Sequence, residues 1–358
     1  MRKSEFSGVT VEYPDMIAFA FNPIIINVYG KTFDWVKVTV EDVQSGVSYE
    51  ESREMYGDSV FFDISSYVQG FFDALESTII DYSQKAVSDS KLGRKLDISI
   101  DVPNDSFCFS VFVIWGVMRI GERFNGSRKL TWFKNYPFSV SMYSATIGNV
   151  EVIVDGKQAE PIVLAGQGLW NLIPIDINAT TTLVFNLPGN EFSASVFDHT
   201  FDVPFKELMN TPTKIECTID NSECGIYLRW INRHGMYCYW LFLPGEETRQ
   251  VSNDGEFIRN IMQSYSFISG YHGGSGRHQR KSESITLPVC ASLVDSDTYN
   301  FLFELATSPV VDMFCGYQDG VAQWMGVNVS VENYVKTSAS LQDFVCTIVL
   351  PELNLQSL

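Results

Sequence analysis

The segment GIYLRWINRHGMYCYWLFLPG, residues 225–245, contains two aromatic and aliphatic runs on either side of the polar tetrapeptide NRHG. Such runs favour strands, and asparagine and glycine tolerate turn geometry. The segment therefore predicts a β-hairpin with strands at about 226–231 and 236–243. Arg233 and His234 fall in the turn, where polar side chains ordinarily face water. We interpret them as a solvated turn and, if the hairpin binds anything, as a contact for another protein subunit.

The rest of the chain also favours strands. VKVTVEDV at 36–43 alternates apolar and polar residues, as a half-buried strand does. Asp155 and Gly156 stand together between two apolar runs, which is the strongest short signal for a hairpin turn. The chain has 358 residues, with 26 Phe and 16 Tyr. The sequence predicts a mainly β (β-rich α+β) fold of β-sandwich or barrel modules with a few single helices.

Two segments predict helices. The first, SYVQGFFDALES, can be capped by Asp63 or Ser65, and the second, within DSDTYNFLFELATSP, by Ser296 or Asp297. Pro309 stands just beyond the second helix, where it ends the helical pattern. The apolar residues at helical spacing are Val68, Phe71, Phe72, Leu75, Tyr299, Leu302, Phe303 and Leu305.

Changes in strand length and in the frequency of turn residues divide the chain into three predicted domains. Residues 1–145 predict a β-rich domain with one helix, and residues 146–205, with short strands and frequent turns, predict a small β-sandwich-like module. Residues 206–358 predict a second β-rich domain with one helix. This domain closes with two strands at about 323–335 and 341–350.

Charge and cysteine usage narrow the class of protein. The formal net charge of −18 repels phosphate backbones, so the sequence predicts no nucleic-acid binding. The seven cysteines contain no CxxC pair, and their odd number favours free thiols and folding in a reducing compartment. The N-terminus lacks the apolar core of a signal peptide, and no apolar run is long enough to cross a bilayer. We therefore expect neither classical secretion nor membrane insertion.

The histidines form no pattern typical of a metal site. His272 and His278 share the glycine- and serine-rich stretch SGYHGGSGRHQRKSES (269–284), which predicts a mobile surface loop. The chain has no HExxH motif, and GGSGR lacks the strand–turn–helix context and lysine placement of a P-loop. The sequence predicts no metal and no cofactor.

Enzymatic signatures are equally missing from the sequence. There is no GxSxG motif, and His199 follows Asp198 directly, so on a strand the two side chains point to opposite faces and cannot act as a dyad. A glycosidase needs only two suitably separated carboxylates, but no pair among the 43 acidic residues stands out. We therefore predict that the chain is not an enzyme.

One aromatic residue is a candidate for glycan contact. Trp170, in AGQGLWNLIP (165–174), lies beside Gly and Asn in a predicted loop of the middle domain. An exposed tryptophan can stack on a sugar face, whereas a buried one fills a core. Both interpretations of Trp170 stay open at this point.

Three segments carry a resemblance to a known class of protein. They are WGVMRIGERFNGSRKLTWFKNYPFSVSMY (115–143), IYLRWINRHGMYCYWLF (226–242) and LQDFVCTIVLPELNLQ (341–356). Together they resemble structural proteins encoded by tailed phages and prophages of Bacteroidetes-type bacteria. The resemblance covers the first and last predicted domains and leaves the middle one uncovered.

This resemblance implies a virion component assembled in the bacterial cytoplasm. The layout of a β-rich domain followed by a small sandwich is similar to that of distal tail proteins, which form rings between the tail tube and the host-recognition apparatus. The expected partners are copies of the same chain and other tail proteins. Because some such proteins carry a sugar-binding module, the alternative is an adhesin that recognises host surface glycans through Trp170.

Overall fold

The computed structural model describes residues 1–72, 80–119, 124–190, 192–198, 203–209, 213–257, 265–268, 270–271, 277–330 and 335–351. Within these residues the protein is mainly β, as the sequence predicts. The first strands are β1 Arg2–Phe6, β2 Val9–Tyr13, β3 Ile17–Phe19, β4 Ile25–Tyr29, β5 Val36–Asp42, β6 Ser48–Arg53, β7 Ser59–Asp63, β8 Ala86–Ser88, β9 Gly93–Val102, β10 Asp105–Ile114, β11 Arg128–Phe133, β12 Val140–Ser144, β13 Gly148–Val154, β14 Lys157–Gln158, β15 Ile162–Leu164 and β16 Gly168–Leu172. The remaining strands are β17 Thr182–Leu187, β18 Phe192–Asp198, β19 Val203–Met209, β20 Thr213–Asp220, β21 Ile226–Ile231, β22 Tyr237–Pro244, β23 Thr248–Phe257, β24 Tyr265–Ser266, β25 Gly270–Tyr271, β26 Arg277–Val294, β27 Val311–Gln318, β28 Val321–Val329 and β29 Gln342–Val349. The helices are α1 Ser65–Gln69 and α2 Ser296–Thr307.

The chain divides into two compact units. The first consists of Met1–Glu223, Arg229–Trp240 and Phe314–Trp324, and the second of Cys224–Leu228, Leu241–Met313 and Met325–Leu358. Each unit is therefore built from segments that are distant in sequence. The division into three consecutive domains stays a prediction.

Two sheets of the first unit share an apolar core. One has the strand order β1-β2-β4-β7, and the other has the order β19-β18-β3-β10-β9-β5-β6. The alternation in VKVTVEDV turns Val36, Val38 and Val40 of β5 inward, each at most 1% exposed. Other core residues from both sheets include Val11, Ile26, Phe62, Ile98, Ile100 and Val111. The alternate positions of β5 and its neighbours form an outer polar face.

A further sheet of the first unit has the order β11-β20-β17-β13-β14, and β15 also pairs with β13. The predicted hairpin lies in this sheet and consists of β13 and β14. Asp155 and Gly156 join β13 to β14 as predicted, with Val154 opposite Lys157. Their φ angles are +48° and +79°, the geometry of a two-residue type I′ turn. A separate three-stranded sheet has the order β12-β16-β8.

The aromatic hairpin is present as β21 and β22. It belongs to a seven-stranded sheet of order β22-β21-β27-β28-β29-β26-β23. An additional pairing sets Leu243 of β22 opposite Cys290 of β26, and this closes the path from β22 to β26 into a barrel. Closure removes the free edges of those strands. β23 lies outside the closed path and pairs with β26.

Helix α1 is shorter than predicted. It spans Ser65–Gln69, and its first residue donates its backbone N–H to the Asp63 carboxylate at 3.0 Å. Asp63 therefore contacts the helix start as expected, although Ile64 holds the cap position. Val68 lies in the helix, whereas Phe71 and Phe72 follow it, and all three are buried. Leu75 lies outside the described residues.

Helix α2 begins one position away from the predicted cap. The Asp295 carboxylate accepts the N–H of Thr298 at 2.8 Å, so Asp295 is the cap instead of Ser296 or Asp297. An N-cap needs extended backbone, and Asp295 has it. Tyr299, Leu302 and Leu305 are buried as predicted, while Phe303 is 39% exposed. Pro309 follows the helix, as expected.

Two predictions near the C-terminal end need correction. The segment at 269–284 was expected to be a loop, but Arg277–Ser284 belongs to strand β26. The glycine and serine content of 269–284 favours a loop. Arg277–Ser284 is nevertheless a strand, because pairing with the distant strand β23 supplies its backbone hydrogen bonds. β28 spans Val321–Val329 and Ser330 lies outside it, so the strand ends before the predicted position of about 335; residues 331–334 lie outside the described residues. β29 agrees with its prediction.

Candidate interaction surfaces

β23 and the first half of β26 form a two-stranded ribbon, defined here as Thr248–Phe257 paired with Arg277–Thr286. β26 pairs with β29 from Thr286 to Val294. Among the described residues, the part from Arg277 to Ser284 therefore pairs with β23 alone. At about 3.3 Å per residue this part is roughly 25 Å long.

Both faces of the ribbon's β23 strand are open to solvent. Successive residues of a strand point to opposite faces, yet every residue from Thr248 to Asn253 is exposed. Val251 is 60% exposed. The side-chain contacts across the ribbon are polar, such as the hydrogen bond between the hydroxyls of Ser252 and Ser282. The described part of this strand therefore buries little apolar surface against its own chain.

The first five residues of β26 contain three basic residues, whereas the rest of the ribbon carries Arg249, Asp254, Glu256 and Glu283. Arg277, Arg280 and Lys281 lie within five residues, in a chain that has 25 basic and 43 acidic residues. Arg280 and Lys281 are exposed. The register sets Lys281 opposite the neutral Asn253 and Arg280 opposite Asp254. An exposed cation in this position can pair with an acidic partner.

The second candidate surface is the outer side of β5, β9 and β10 in the first unit, called here the polar face. It contains a depression of about 380 Å³. The polar residues that line this depression are Thr39, Glu41, Asp97, Ser99, Cys108 and Ser110. The Ser110 hydroxyl donates a hydrogen bond to Oδ1 of Asp97 at 2.6 Å.

Two exposed carboxylates face each other on the polar face. The register of β5 and β9 sets Glu41 directly opposite Asp97. Lys37, a cation on the same face of β5, lies 3.5 Å from the carboxylates of both Glu50 and Asp101. Like charges directly opposite one another destabilise an antiparallel pair. A cation placed between Glu41 and Asp97 would offset this repulsion.

Arg233 and His234 lie at the hairpin turn, but the turn does not face water as predicted. Both residues are half-buried. The Val117 N–H donates to the Arg233 carbonyl at 2.7 Å, and a Cβ on Gly235 would lie 2.5 Å from the carbonyl oxygen of Trp115. The solvated-turn interpretation is wrong because tertiary packing covers this turn. A subunit contact through Arg233 and His234 stays a prediction.

Sequence reasoning missed a buried arginine close to that turn. Arg229 is 1% exposed, and its guanidinium carbon lies 4.3 Å from the ring centroid of Trp324 and 5.3 Å from that of Tyr237. Its Nη1 donates a hydrogen bond to the Tyr82 hydroxyl at 3.4 Å. The Tyr82 hydroxyl in turn lies 3.2 Å from the hydroxyl of Tyr239. Burial raises the pKa of Tyr239 well above its usual range. Cation–π contacts of this kind stabilise the packing of the first unit.

Trp170 lies in strand β16 and not in the predicted loop. It pairs with Met142 of β12 on one side and with Ser88 of β8 on the other. The residue is half-buried, and its indole N–H donates to the Gly166 carbonyl at 3.2 Å. The flanking glycine suggested a loop, whereas pairing on both sides makes this a central strand. A glycan contact at Trp170 stays a prediction.

The described residues contain neither a cluster of metal ligands nor a membrane-spanning helix. In those residues, no three His, Cys, Asp or Glu side chains are grouped as metal ligands. His199 and His272 lie outside the described part, and the backbone of His278 belongs to β26. The seven cysteines are free thiols. No helix within the described ranges is long and apolar enough to cross a membrane.

Comparison with known proteins gives no family for this chain. No protein-family model matches it, and no curated protein matches it. One similar solved structure is described as giving insight into the host cell surface retention of a 1.5-MDa bacterial ice-binding adhesin. It is 10% identical, with 80% of this chain and 94% of that chain covered, and the TM-score is 0.16. So low a TM-score carries no argument about fold or function.

Proposed function

We propose that this chain is a structural protein of a tailed-phage particle, a homo-oligomer that acts as an adaptor or hub at the tail tip. The ribbon is the observation that carries this proposal. A two-stranded ribbon is at best marginally stable by itself in water, and β23 is exposed on both faces from Thr248 to Asn253. A second polypeptide packed on the ribbon would cover Thr248–Asn253, which the described part of the chain leaves exposed.

The segments that resemble phage tail proteins support the same proposal. The turn inside 226–242 packs directly on Trp115 and Val117, which belong to the segment 115–143. Two of the three resembling segments therefore form one contact in the first unit.

Self-assembly of the purified protein tests the proposal. Wild-type protein is compared with a variant in which Arg249–Ile285 is replaced by Asn-Gly. Thr248 and Thr286 are directly opposite in the register, so a two-residue turn can join them. We expect light scattering to show a discrete oligomer for the wild type. For the variant we expect self-association at least about tenfold weaker, because the ribbon contacts are lost.

The control for this experiment is the folded state of the shortened variant, measured by circular dichroism and thermal unfolding. The proposal is refuted if the wild-type protein stays monomeric at high concentration and mass spectrometry of purified particles does not find it. Glycan recognition through the half-exposed ring of Trp170 is the second candidate function, and its test is given in the Discussion.

A further inference from the structure

We infer that an aromatic patch on the first unit binds a neutral sugar residue. The aromatic patch is defined as Tyr82, Tyr136, Phe314, Tyr317 and Trp324, and all five belong to the first unit. Such a site goes beyond the proposed structural role, because it adds a ligand to the molecule, and it consists of residues other than Trp170.

The rings of the aromatic patch contact one another around Phe314. The ring centroid of Phe314 lies 5.9 Å from that of Tyr136, 5.2 Å from that of Tyr317 and 5.5 Å from that of Trp324. Tyr317 is 58% exposed, and the other four members are half-buried. The patch therefore presents aromatic surface to solvent, with Tyr317 as its most accessible ring.

Gly316 allows Tyr317 to meet Phe314. The two aromatic residues lie three positions apart in β27, and in a regular strand such residues point to opposite faces. Gly316 has a φ angle of +115°, which residues with a side chain rarely adopt. This departure from regular strand geometry brings both rings to one side of the strand.

Contacts with neighbouring residues hold the rings in place. The guanidinium carbon of the buried Arg229 lies 4.3 Å from the ring centroid of Trp324. The Tyr136 hydroxyl donates a hydrogen bond to the Glu223 carbonyl at 2.8 Å. Rings that are fixed before binding lose little conformational freedom when a ligand stacks on them.

The patch combines ring faces with hydroxyl groups. The face of an aromatic ring carries partial negative charge, and the C–H groups on the face of a sugar stack on it. A tyrosine hydroxyl both donates and accepts hydrogen bonds, as the hydroxyls of a sugar require. Partial burial and then the neighbouring Tyr82 raise the pKa of Tyr317, so the Tyr317 hydroxyl stays protonated and lies near Tyr82.

Charge disfavours the other ligands that stack on aromatic rings. Nucleic-acid bases do so, but their binding also needs a positively charged groove for the phosphates. Exposed acidic residues adjoin the patch instead, namely Asp81, Glu223 and Asp319. The lysines closest to its tyrosines in sequence already have partners, Lys85 with Glu160 and Lys134 with Asn178. A neutral ligand fits these surroundings, and the carboxylates can accept hydrogen bonds from sugar hydroxyls.

The size of the patch favours a small ligand over a protein. A stable protein–protein interface buries about 800 Å² on each partner. Four of the five rings are half-buried, so the patch offers a contact the size of single rings. Such a contact matches a sugar unit.

Oligosaccharide binding by the full chain, measured by isothermal titration calorimetry, tests the inference. The probes are neutral tetrasaccharides of glucose, mannose and N-acetylglucosamine, with tetragalacturonate as the acidic comparison. We expect the wild type to bind at least one neutral probe, and to bind it more tightly than the acidic one. Tyr317→Ala should weaken this binding by at least about tenfold, because the stacking ring is lost. Tyr317→Phe keeps the ring and should weaken it by less than about threefold.

The matched control is Tyr56→Ala, which removes a tyrosine that is 85% exposed in the same unit. We expect this control to bind the sugar within about twofold of the wild type. Circular dichroism and thermal unfolding establish that both alanine variants keep the fold.

The results that overturn the sugar site are specific. They are a wild type that binds no neutral probe or binds the acidic probe as tightly, and equal effects of Tyr317→Ala and Tyr56→Ala. A loss caused by Trp170→Ala but not by Tyr317→Ala would also assign the sugar to another place.

Self-association of the same samples keeps the sugar site distinct from the proposed function. If Tyr317→Ala weakens self-association and no sugar binds, the patch is a subunit contact, so the sugar site is wrong and the homo-oligomer stands. If the wild type binds sugar but does not associate, the proposed function fails and the sugar site stands.

Hydrogen exchange on the wild type gives an answer that does not depend on the folding of any variant. We expect a saturating neutral probe to slow amide exchange at 314–324. Exchange that is unchanged there while the sugar is bound overturns the inference.

Discussion

The Nη1 atom of Arg94 lies 2.6 Å from Oδ2 of Asp42, and the two side chains are enclosed, with 10% and 0% of their surface exposed. The same carboxylate accepts a hydrogen bond from the Ser45 hydroxyl at 2.6 Å and another from the Ser45 N–H at 3.2 Å. Asp42 therefore ties β9 to the turn that follows β5. This pair lies on the core side of strands whose other side carries the polar face.

Replacing Asp42 with alanine is expected to destabilise the first unit by about 3–5 kcal/mol, because the guanidinium of Arg94 is left buried without its carboxylate. Urea unfolding followed by circular dichroism measures the change. Asp34→Ala, at an exposed position, is the control and should alter stability by less than about 0.5 kcal/mol. A loss below about 1 kcal/mol for Asp42→Ala would contradict the role assigned to this pair.

Asp155 is expected to make stability depend on acid pH. Backbone N–H groups of Thr182, Thr181 and Thr180 donate to its carboxylate and hold its pKa well below the usual range. A lowered folded-state pKa stabilises the protein above the unfolded pKa of about 4, and this stabilisation is lost as the pH falls toward the folded value.

The variant Asp155→Asn keeps a residue that tolerates the positive φ of +48° but removes the titrating group. We expect the wild type to have the higher Tm, by a constant margin above about pH 5 that narrows below about pH 4. Asp176→Asn, at another positive φ of +59°, is the control. A margin that does not change with pH would rule out the carboxylate as its source.

Alanine substitutions at Gly235 and Gly156 distinguish the cost of backbone strain, which both share, from the cost of a steric clash, which only Gly235 has. Gly235 and Gly156 have similar φ angles, +73° and +79°, so alanine is strained at both, at a cost of about 1–2 kcal/mol. A Cβ at Gly235 would also lie 2.5 Å from the carbonyl oxygen of Trp115, whereas nothing lies within 4 Å of one at Gly156. Gly235→Ala should therefore lower thermal stability clearly more than Gly156→Ala. Equal losses would show that the packing of the turn on Trp115 yields at little cost.

Trp170→Ala tests the glycan candidate. If the exposed part of the ring stacks on a sugar, binding to a host-surface glycan array is expected to fall by at least about tenfold while the fold is kept. Trp35→Ala, a change at an exposed tryptophan (38%) elsewhere in the same unit, is the control and should leave binding unchanged. Wild-type protein that binds no glycan on the array would remove this candidate function.

Features whose cause lies within a few residues were predictable from the sequence. The turn at Asp155 and Gly156 needs two positive φ angles, and these residue types supply them locally. The alternation around Val38 and Val40 has a period of two, which indicates a half-buried strand before any partner is known. Helix α2 was predicted from its apolar spacing and from Pro309, with an error of one position at its cap.

The candidate surfaces could be predicted only in part. The basic residues at 277–281 are visible in the sequence, but glycine and serine around them indicated a loop, and strand β26 results from pairing with β23. The opposition of Glu41 and Asp97 depends on the register between β5 and β9, which no local pattern in either strand specifies.

The strand-rich character of this protein, its local turns and its acidic charge follow from residue type and short-range spacing, so they can be read from the chain alone. Three features cannot be read in this way: the turn at Arg233 and His234 is covered, Arg229 is buried against Trp324, and β23 and β26 leave the barrel as a ribbon. They depend on burial, register and strand partners, which are set by contacts between distant segments. The same residue types can form those contacts or remain in water.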